Sequence, residues 1–297
     1  MDTLGFLGPL GTHSEAAALH LNGLLDEPRE LCAYPTIFQA LLAVEEGQAD
    51  GALVPVENSL EGSVNITLDA LSAGDALTVT LELIWGVRNE LMMKYPKERV
   101  RRIISHAQPL SQCRDYLKAH HATADLVAVS STAEAARLVA ESRPEDGCAA
   151  ICTARAGELY GLYALAQDIQ DTMANCTRFF LVERAGKKPP ALRFSNEPVP
   201  EKLLVICQID GKRAGSLCEV LQEFAVRGVN MLRIESRPAR TKLGAYTFFF
   251  ELEADAAEPL AASVEAVREK SIWLRTLGTF PVLTAANLKG ASLWSSL

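Results

Sequence analysis

Short apolar runs alternate with amphipathic stretches through the first 180 residues, and the alternation predicts the elements. TLGFLG opens as a strand ahead of a helix over about 13–22, and a helix over 37–46, stopped by Gly47, leads into the strand GALVPV. LTVTLELIWGV follows as a long strand. RRIISH then precedes a helix over about 110–120, LVAVS a helix over 132–141, CAAICT a helix over about 154–161, and FFLVE closes the series. Apolar runs of strand length between stretches of 3.6 periodicity imply an α/β sheet covered on both faces. THSE, TIFQ and SSTAE mark helix starts, because each sets a Thr or Ser three residues ahead of a Glu or Gln, the spacing of a capping box.

The periodicity breaks at ERAGKKPPALRFSNEPVPEK, residues 183–202, where four prolines and several charges make a linker. Beyond it LLVICQI, GSLCEVLQEFAVRG, VNMLRIESR, AYTFFFELE, a helix near 258–271 and WLRTLGTFPV read as βαββαβ. That order is the ferredoxin-like pattern, two helices on one face of an antiparallel sheet. Leu217, Val220, Leu221 and Phe224 form the buried stripe of its first helix, which Gly228 ends. The expected division is 1–185, a linker 186–200, a second unit 201–284 and a tail 285–297.

Composition narrows the partners. In 297 residues, 29 basic side chains face 37 acidic ones, for a formal charge of -8, and no Lys/Arg run offsets it locally. Nucleic acid is excluded as an expected partner. An anionic small molecule is not, because helix N-termini supply local donors. The seven cysteines, at 32, 113, 148, 152, 176, 207 and 218, lack CxxC pairs or His partners at metal spacing, so reduced thiols and no metal site are expected. The N-terminus has neither a basic segment nor a long apolar run, and nothing later reaches membrane-span length. A cytoplasmic protein without membrane contact is the expectation.

Polar clusters fall where predicted strands end and helices begin, the ligand-binding positions of an open α/β sheet. In GPLGTHSE, Gly8 and Gly11 permit a tight turn while Thr12 and Ser14 set hydroxyls at a helix N-terminus, suited to a carboxylate or to plain capping. The glycines do not follow the GxGxxG dinucleotide pattern. Glu57, Asn58 and Ser59 leave the strand GALVP, ahead of a helix with Val64, Leu68 and Leu71 on one face and Ser63 as its expected cap. His106 and Gln108 follow RRIIS, and Ser130, Ser131 and Thr132 open another helix. In NCTRFFLV, Asn175, Thr177 and Arg178 stand at the mouth of an apolar strand. Each cluster also has a structural reading as a cap or solvated loop.

GPLGTHSEAA, VPVENSLEGSVNITLDAL, SHAQPLSQC, NCTRFFLV and IESRP, in that order, resemble the prephenate dehydratase family followed by an amino-acid-binding ACT domain, over about residues 4–283. The chain opens on the dehydratase motif, so no preceding chorismate mutase segment is expected. The resemblance implies two periplasmic-binding-protein-like α/β lobes with a cleft between them. It also implies decarboxylative dehydration of the dianion prephenate to phenylpyruvate. Aromatisation drives that reaction, so no cofactor or metal is expected, and the protein has to orient two carboxylates and help hydroxide leave as water.

By the same resemblance Thr177 is the catalytic residue, as donor or relay, with Glu57 or His106 as the ultimate acid, and Glu57, Asn58 and Ser59 join it in the catalytic set. Thr12, Ser14, Ser130, Asn175, Arg178 and Phe179 are the expected substrate contacts. Strand alternation turns Arg178 away from Thr177, which favours a structural carboxylate partner for it, and puts Phe179 beside Thr177 as a pocket wall. In the second unit Gly215, Ser216, Leu217, Asn230, Glu235, Ser236, Arg237 and Pro238 are the expected contacts for the effector L-phenylalanine, bound between subunits of a dimer or tetramer; the family's usual GAL is GSL here. Alternative readings are an arogenate dehydratase and a non-catalytic amino-acid sensor.

Overall fold

The computed structural model describes residues 1–193, 199–239 and 244–284; the tail 285–297 lies outside the described residues. The first lobe comprises β1 (Thr3–Leu7), α1 (His13–Leu24), β2 (Glu30–Tyr34), α2 (Ile37–Glu45), β3 (Gly51–Asn58), β4 (Gly62–Ser63), α3 (Asn65–Ala73) and β5 (Leu77–Gly86). The second lobe comprises β6 (Glu90–Met93), β7 (Arg102–His106), α4 (Ala107–Gln112), α5 (Arg114–His120), β8 (Asp125–Val129), α6 (Thr132–Glu141), β9 (Cys148–Cys152), α7 (Ala154–Tyr160) and β10 (Tyr163–Ala166). The chain returns to the first lobe as β11 (Cys176–Arg184). It then builds β12 (Glu201–Gln208), α8 (Ser216–Ala225), β13 (Asn230–Pro238), β14 (Tyr246–Glu253), α9 (Ala257–Lys270) and β15 (Trp273–Leu283).

Strands β2, β6 and β10 escape the apolar pattern. β2 and β10 are half-exposed sheet edges, and β6 and β10 are only four residues long. The helix expected over 110–120 breaks at Cys113 into α4 and α5. Thr12, Thr36 and Ser131 do cap, accepting from the amides of Glu15, Gln39 and Glu134 at 3.3, 3.1 and 3.0 Å. The return arms of the boxes differ from expectation: Glu15 reaches the amide of Gly11 and Glu134 that of Ser130, each one residue ahead of the cap. Ser63 is not the cap of α3; it lies in β4, and α3 starts after Val64 with no side-chain cap.

The first lobe's strands run in the order β2-β1-β3-β11-β5, with β1 parallel to β2 and β3, and β11 antiparallel to β3 and β5. The C-terminal ends of β1, β3 and β5 and the N-terminal end of β11 therefore share one edge. The second lobe orders β8-β7-β9-β6-β10, and the parallel strands β7, β8 and β9 bring His106, Ser130 and Thr153 to one edge of that sheet.

Strands β15-β12-β14-β13 form the second unit, with α8 and α9 packed on one face through Val220, Phe224, Val264 and Val267. The other face, carrying Leu204, Ile206, Phe249, Leu277 and Phe280, shares a core with Leu41, Val54, Val56 and Phe180 of the first lobe, and Phe180 meets Phe280 edge-on at 5.5 Å. The end of β15 pairs with β5, so one ten-stranded sheet runs through both units. The connecting segment is tied down as well: Asp26 donates to Ala191 and Arg193 to Leu24, and Leu192 and Val199 pack on the first lobe's core.

Candidate active site

The first-lobe edge owes its chemistry to a register step. Arg178 stands opposite Glu57, but Phe179 stands opposite Pro55, so Val56 is an extra residue in β3. A one-residue slip turns following side chains to the other face. Without it Asn58 would share the face of Val54 and Val56; with it, Asn58 meets Thr177 on one face and Glu57 meets Arg178 on the other.

On Thr177's face, Asn58 Nδ2 donates to Thr177 Oγ1 at 3.0 Å and lies 3.0 Å from Asn175 Oδ1 and 3.2 Å from the Cys176 carbonyl. Asn58 Oδ1 accepts from the amides of Leu60 and Glu61 at 3.0 and 3.2 Å, which establishes which end of the amide is nitrogen. Thr177 is thereby the acceptor of this bond. Its own proton stays free for another acceptor, and donation to its oxygen polarises the O–H and strengthens it as a donor. Ser59 closes the loop onto β11, donating to Ala174 at 3.1 Å and accepting from the Cys176 amide at 3.0 Å. Asn175, wholly buried, donates to Gln112 of α4 at 3.1 Å and so ties the site to the second lobe.

The turn between β1 and α1 forms the neighbouring part of this edge. Thr12's hydroxyl is engaged by the carbonyl of Pro9 at 3.0 Å and by its capping bond, while Ser14 is buried in the first turn of α1. Gly11 has φ +86°, and a Cβ there would come within 3.1 Å of Ala156 in α7, so glycine alone permits this approach of the lobes. Thr153 donates to the Gly11 carbonyl at 2.9 Å, and Arg155 pairs with the buried Glu15 at 3.3 Å. His13 Nε2 lies 3.4 Å from the Oδ1 of the buried Asn89, and burial lowers its pKa to about 4 against a partly opposing Asn89 bond, so the imidazole is neutral at neutral pH. His13, Asn89, Gln112, Thr153 and Arg155 were not among the sequence candidates. The capping reading of THSE concealed His13, and only the approach of the lobes identifies the others.

Arg178, an expected substrate contact, turns its guanidinium to carboxylates on the face opposite Thr177. Its guanidinium is filled by Glu57 at 2.6 Å, Glu82 at 2.5 Å and Glu251, and Lys202 adds to Glu82 at 2.9 Å. Burial alone would lower its pKa, but Glu251 and Glu82 hold it raised. Glu57 is correspondingly not an acid beside Thr177; Arg178 and Arg233 share its carboxylate on the opposite face. Phe179 faces Thr177's side but is 1% exposed in the core with Leu21, Leu83 and Trp85, so it packs instead of walling open space. Ser130 spends its hydroxyl and amide on Glu134, and His106 caps α4 by accepting from the Gln108 amide at 3.3 Å.

In the second unit a cavity of about 220 Å³ is lined by Gly215, Ser216, Leu217, Arg213, Tyr246 and Phe248, among others. Ser236 and Pro238 stand opposite Phe248 and Tyr246. Glu235 and Arg237 do not join them; alternation turns both toward the first lobe, where they bond Ser63 at 2.9 Å and Asp69 at 3.0 and 3.1 Å. Asn230 lies at the far end of β13, bonded to Glu253 at 2.7 Å.

Two strand-end edges joined by cross-lobe hydrogen bonds define a two-lobed α/β protein whose facing strand ends are the positions at which such folds bind small molecules. The family model described as prephenate dehydratase matches residues 4–187. The prephenate dehydratase of Methanocaldococcus jannaschii is 34% identical over 92% of this chain and 96% of its own. Among solved structures, prephenate dehydratase from Arthrobacter aurescens in complex with L-Phe is 33% identical, with a TM-score of 0.80 over 99% of this chain and 98% of that one. A quorum-quenching acylase is 26% identical, with a TM-score of 0.81 over 95% and 98%. The chain belongs to the prephenate dehydratase family, whose activity is that of a carbon–oxygen lyase. Among the described residues no helix is long and apolar enough to cross a membrane.

Proposed function

We propose that the protein converts prephenate to phenylpyruvate, CO2 and water at the cleft edge around Thr177, and that L-phenylalanine inhibits it through residues 201–284 acting as an ACT domain. The observation that carries the catalytic part is the Asn58–Thr177 bond, which leaves a polarised hydroxyl proton to follow the departing ring oxygen. Asn58 and Thr177 orient that proton, and the backbone amides at the start of α1 receive a carboxylate. Arg178 and Arg155 are both spent on carboxylates, which keeps their charge from holding the substrate's ground state too tightly.

The effector reading rests on the 220 Å³ cavity at Gly215–Leu217 and on the L-Phe held by the Arthrobacter aurescens relative. Asn230 and Pro238 are eight residues apart on one strand, about 26 Å at 3.3 Å per residue, so a site using both ends takes them from two copies of the chain. Residues 1–185 are then the catalytic unit and 186–200 the connection.

Phenylpyruvate formation from prephenate, with and without L-phenylalanine, tests both parts. Turnover that falls about 10²–10⁴-fold in Thr177→Ala, with an unchanged melting temperature, is the expected result. Wild-type turnover in that variant overturns the catalytic assignment. Turnover on arogenate alone moves the substrate to the amino analogue, and inhibition absent in the wild type removes the effector part.

A further inference from the structure

We infer that Arg233, a residue of the C-terminal unit, is a positioning residue of the Thr177 site, and that β13 couples the effector cavity to that site through the hairpin Glu57–Ser63. The inference rests on the catalytic and effector readings above and adds the connection between them.

Strand β13 has two different faces. Ser236 and Pro238 stand beside the cavity-lining Phe248 and Tyr246, whereas Arg233, Glu235 and Arg237 point at the first lobe. Arg233 Nη2 donates to Ser63 Oγ at 2.6 Å, Ser63 Oγ donates to Glu235 at 2.9 Å, and Arg233 Nε lies 3.5 Å from Glu57. Arg233 is anchored in turn by Glu251 at 3.3 Å, which Arg178 also holds.

Glu57 and Ser63 are a cross-strand pair, and so are Asn58 and Gly62. The regulatory strand therefore grips the open base of a seven-residue hairpin through both of its ends. Asn58, the second residue of that hairpin, is the donor to Thr177. A shift of β13 along its axis or away from the lobe pulls on Glu57 and Ser63 together, and it reaches Thr177 through one peptide link, from Glu57 to Asn58. Arg237 and Asp69 guide the same strand against α3 by a bidentate pair. Coupling of this kind needs an element both sites bias, and the hairpin is contacted from both sides.

The test compares the full-length wild type with Arg233→Gln, Arg233→Lys and Ser63→Ala, by turnover, L-phenylalanine binding calorimetry and backbone hydrogen exchange. Arg233→Gln is expected to lose about tenfold in kcat with KM changed less than about twofold, and to bind L-phenylalanine while no longer being inhibited by it. Exchange should quicken in residues 57–64 and stay unchanged in β9, with Arg233→Lys recovering part of each effect. Ser63→Ala removes only the shared hydroxyl and should show the same pattern more weakly, so it decides if Arg233→Gln fails to fold. Unchanged kcat, full inhibition and unchanged exchange in 57–64 overturn the inference. Should the wild type not turn over prephenate, the activity reading fails separately, and the exchange difference between unliganded wild type and variants decides this one.

Discussion

Thr177 and Arg178 are adjacent in the chain, yet they work on opposite faces of β11 under opposite electrostatic rules. The groups that meet around Thr177 are neutral: Asn58 donates to its hydroxyl and also to Asn175. Arg178's face pools Arg178, Lys202 and Arg233 against Glu57, Glu82, Glu235 and Glu251 where the two units meet. The contrast shows a strand used as a partition. Charges that would bind a dianion too firmly, or draw its water along, hold the C-terminal unit in place, while weak directional donors are left on Thr177's side.

The largest effect is expected from breaking the charged face alone. Arg178→Met strands Glu82 and Glu251, both almost fully buried, beside only Lys202 and Arg233, and should cost about 3–5 kcal/mol in denaturant unfolding. A loss under 1 kcal/mol would mean that solvent reaches this seam. Arg178→Lys should recover only part, since one ammonium cannot serve three carboxylates in the guanidinium's fork.

Acid titration distinguishes a neutral group from the charged face next. His13 takes up its proton near pH 4 when folded and near its ordinary 6.5 when unfolded, so stability falls as pH drops from 6.5 to 4, by at most about 3 kcal/mol. His13→Gln should flatten unfolding free energy across that window; an unchanged slope would place the acid sensitivity elsewhere. Glu251 acts lower. Burial would raise it, but Arg178, Lys202 and Arg233 outweigh burial and hold it below 4.5, so its contribution is present above 4.5 and lost as pH falls through its folded value.

The smallest effect separates the site's two neutral members. Asn58→Ala removes the donor to Thr177 but leaves the hydroxyl, so turnover should fall about 10–100-fold, less than in Thr177→Ala. Equal losses would make Asn58 as necessary as the threonine and show that the two act as one unit.

Much of this was legible in sequence, unevenly. Strand and helix order followed from apolar runs and capping residues, because both act within a turn or two of the chain; THSE and SSTAE started their helices where the spacing said. The edge strand β2 was not legible, since none of its five residues is fully buried and ELCAY shows no alternation of buried and exposed positions. Alternation along NCTRFF favoured a structural partner for Arg178, but Glu82 and Glu251, 96 and 73 residues away, were beyond it. Alternation along NMLRIESRP equally separates Arg233, Glu235 and Arg237 from Ser236 and Pro238. The motif reading merged Glu235 through Pro238 into one effector site that the two faces of β13 divide.

What the sequence determined by itself was the family, the order of elements and the polar residues at the strand ends, because each rests on local pattern. The tertiary structure alone decided which of those residues meet. The extra Val56 in β3 leaves no mark on the apolar pattern, yet it turns Asn58 to Thr177 and Glu57 to Arg178. A strand's side chains have period two, so a single inserted residue reassigns every partner beyond it.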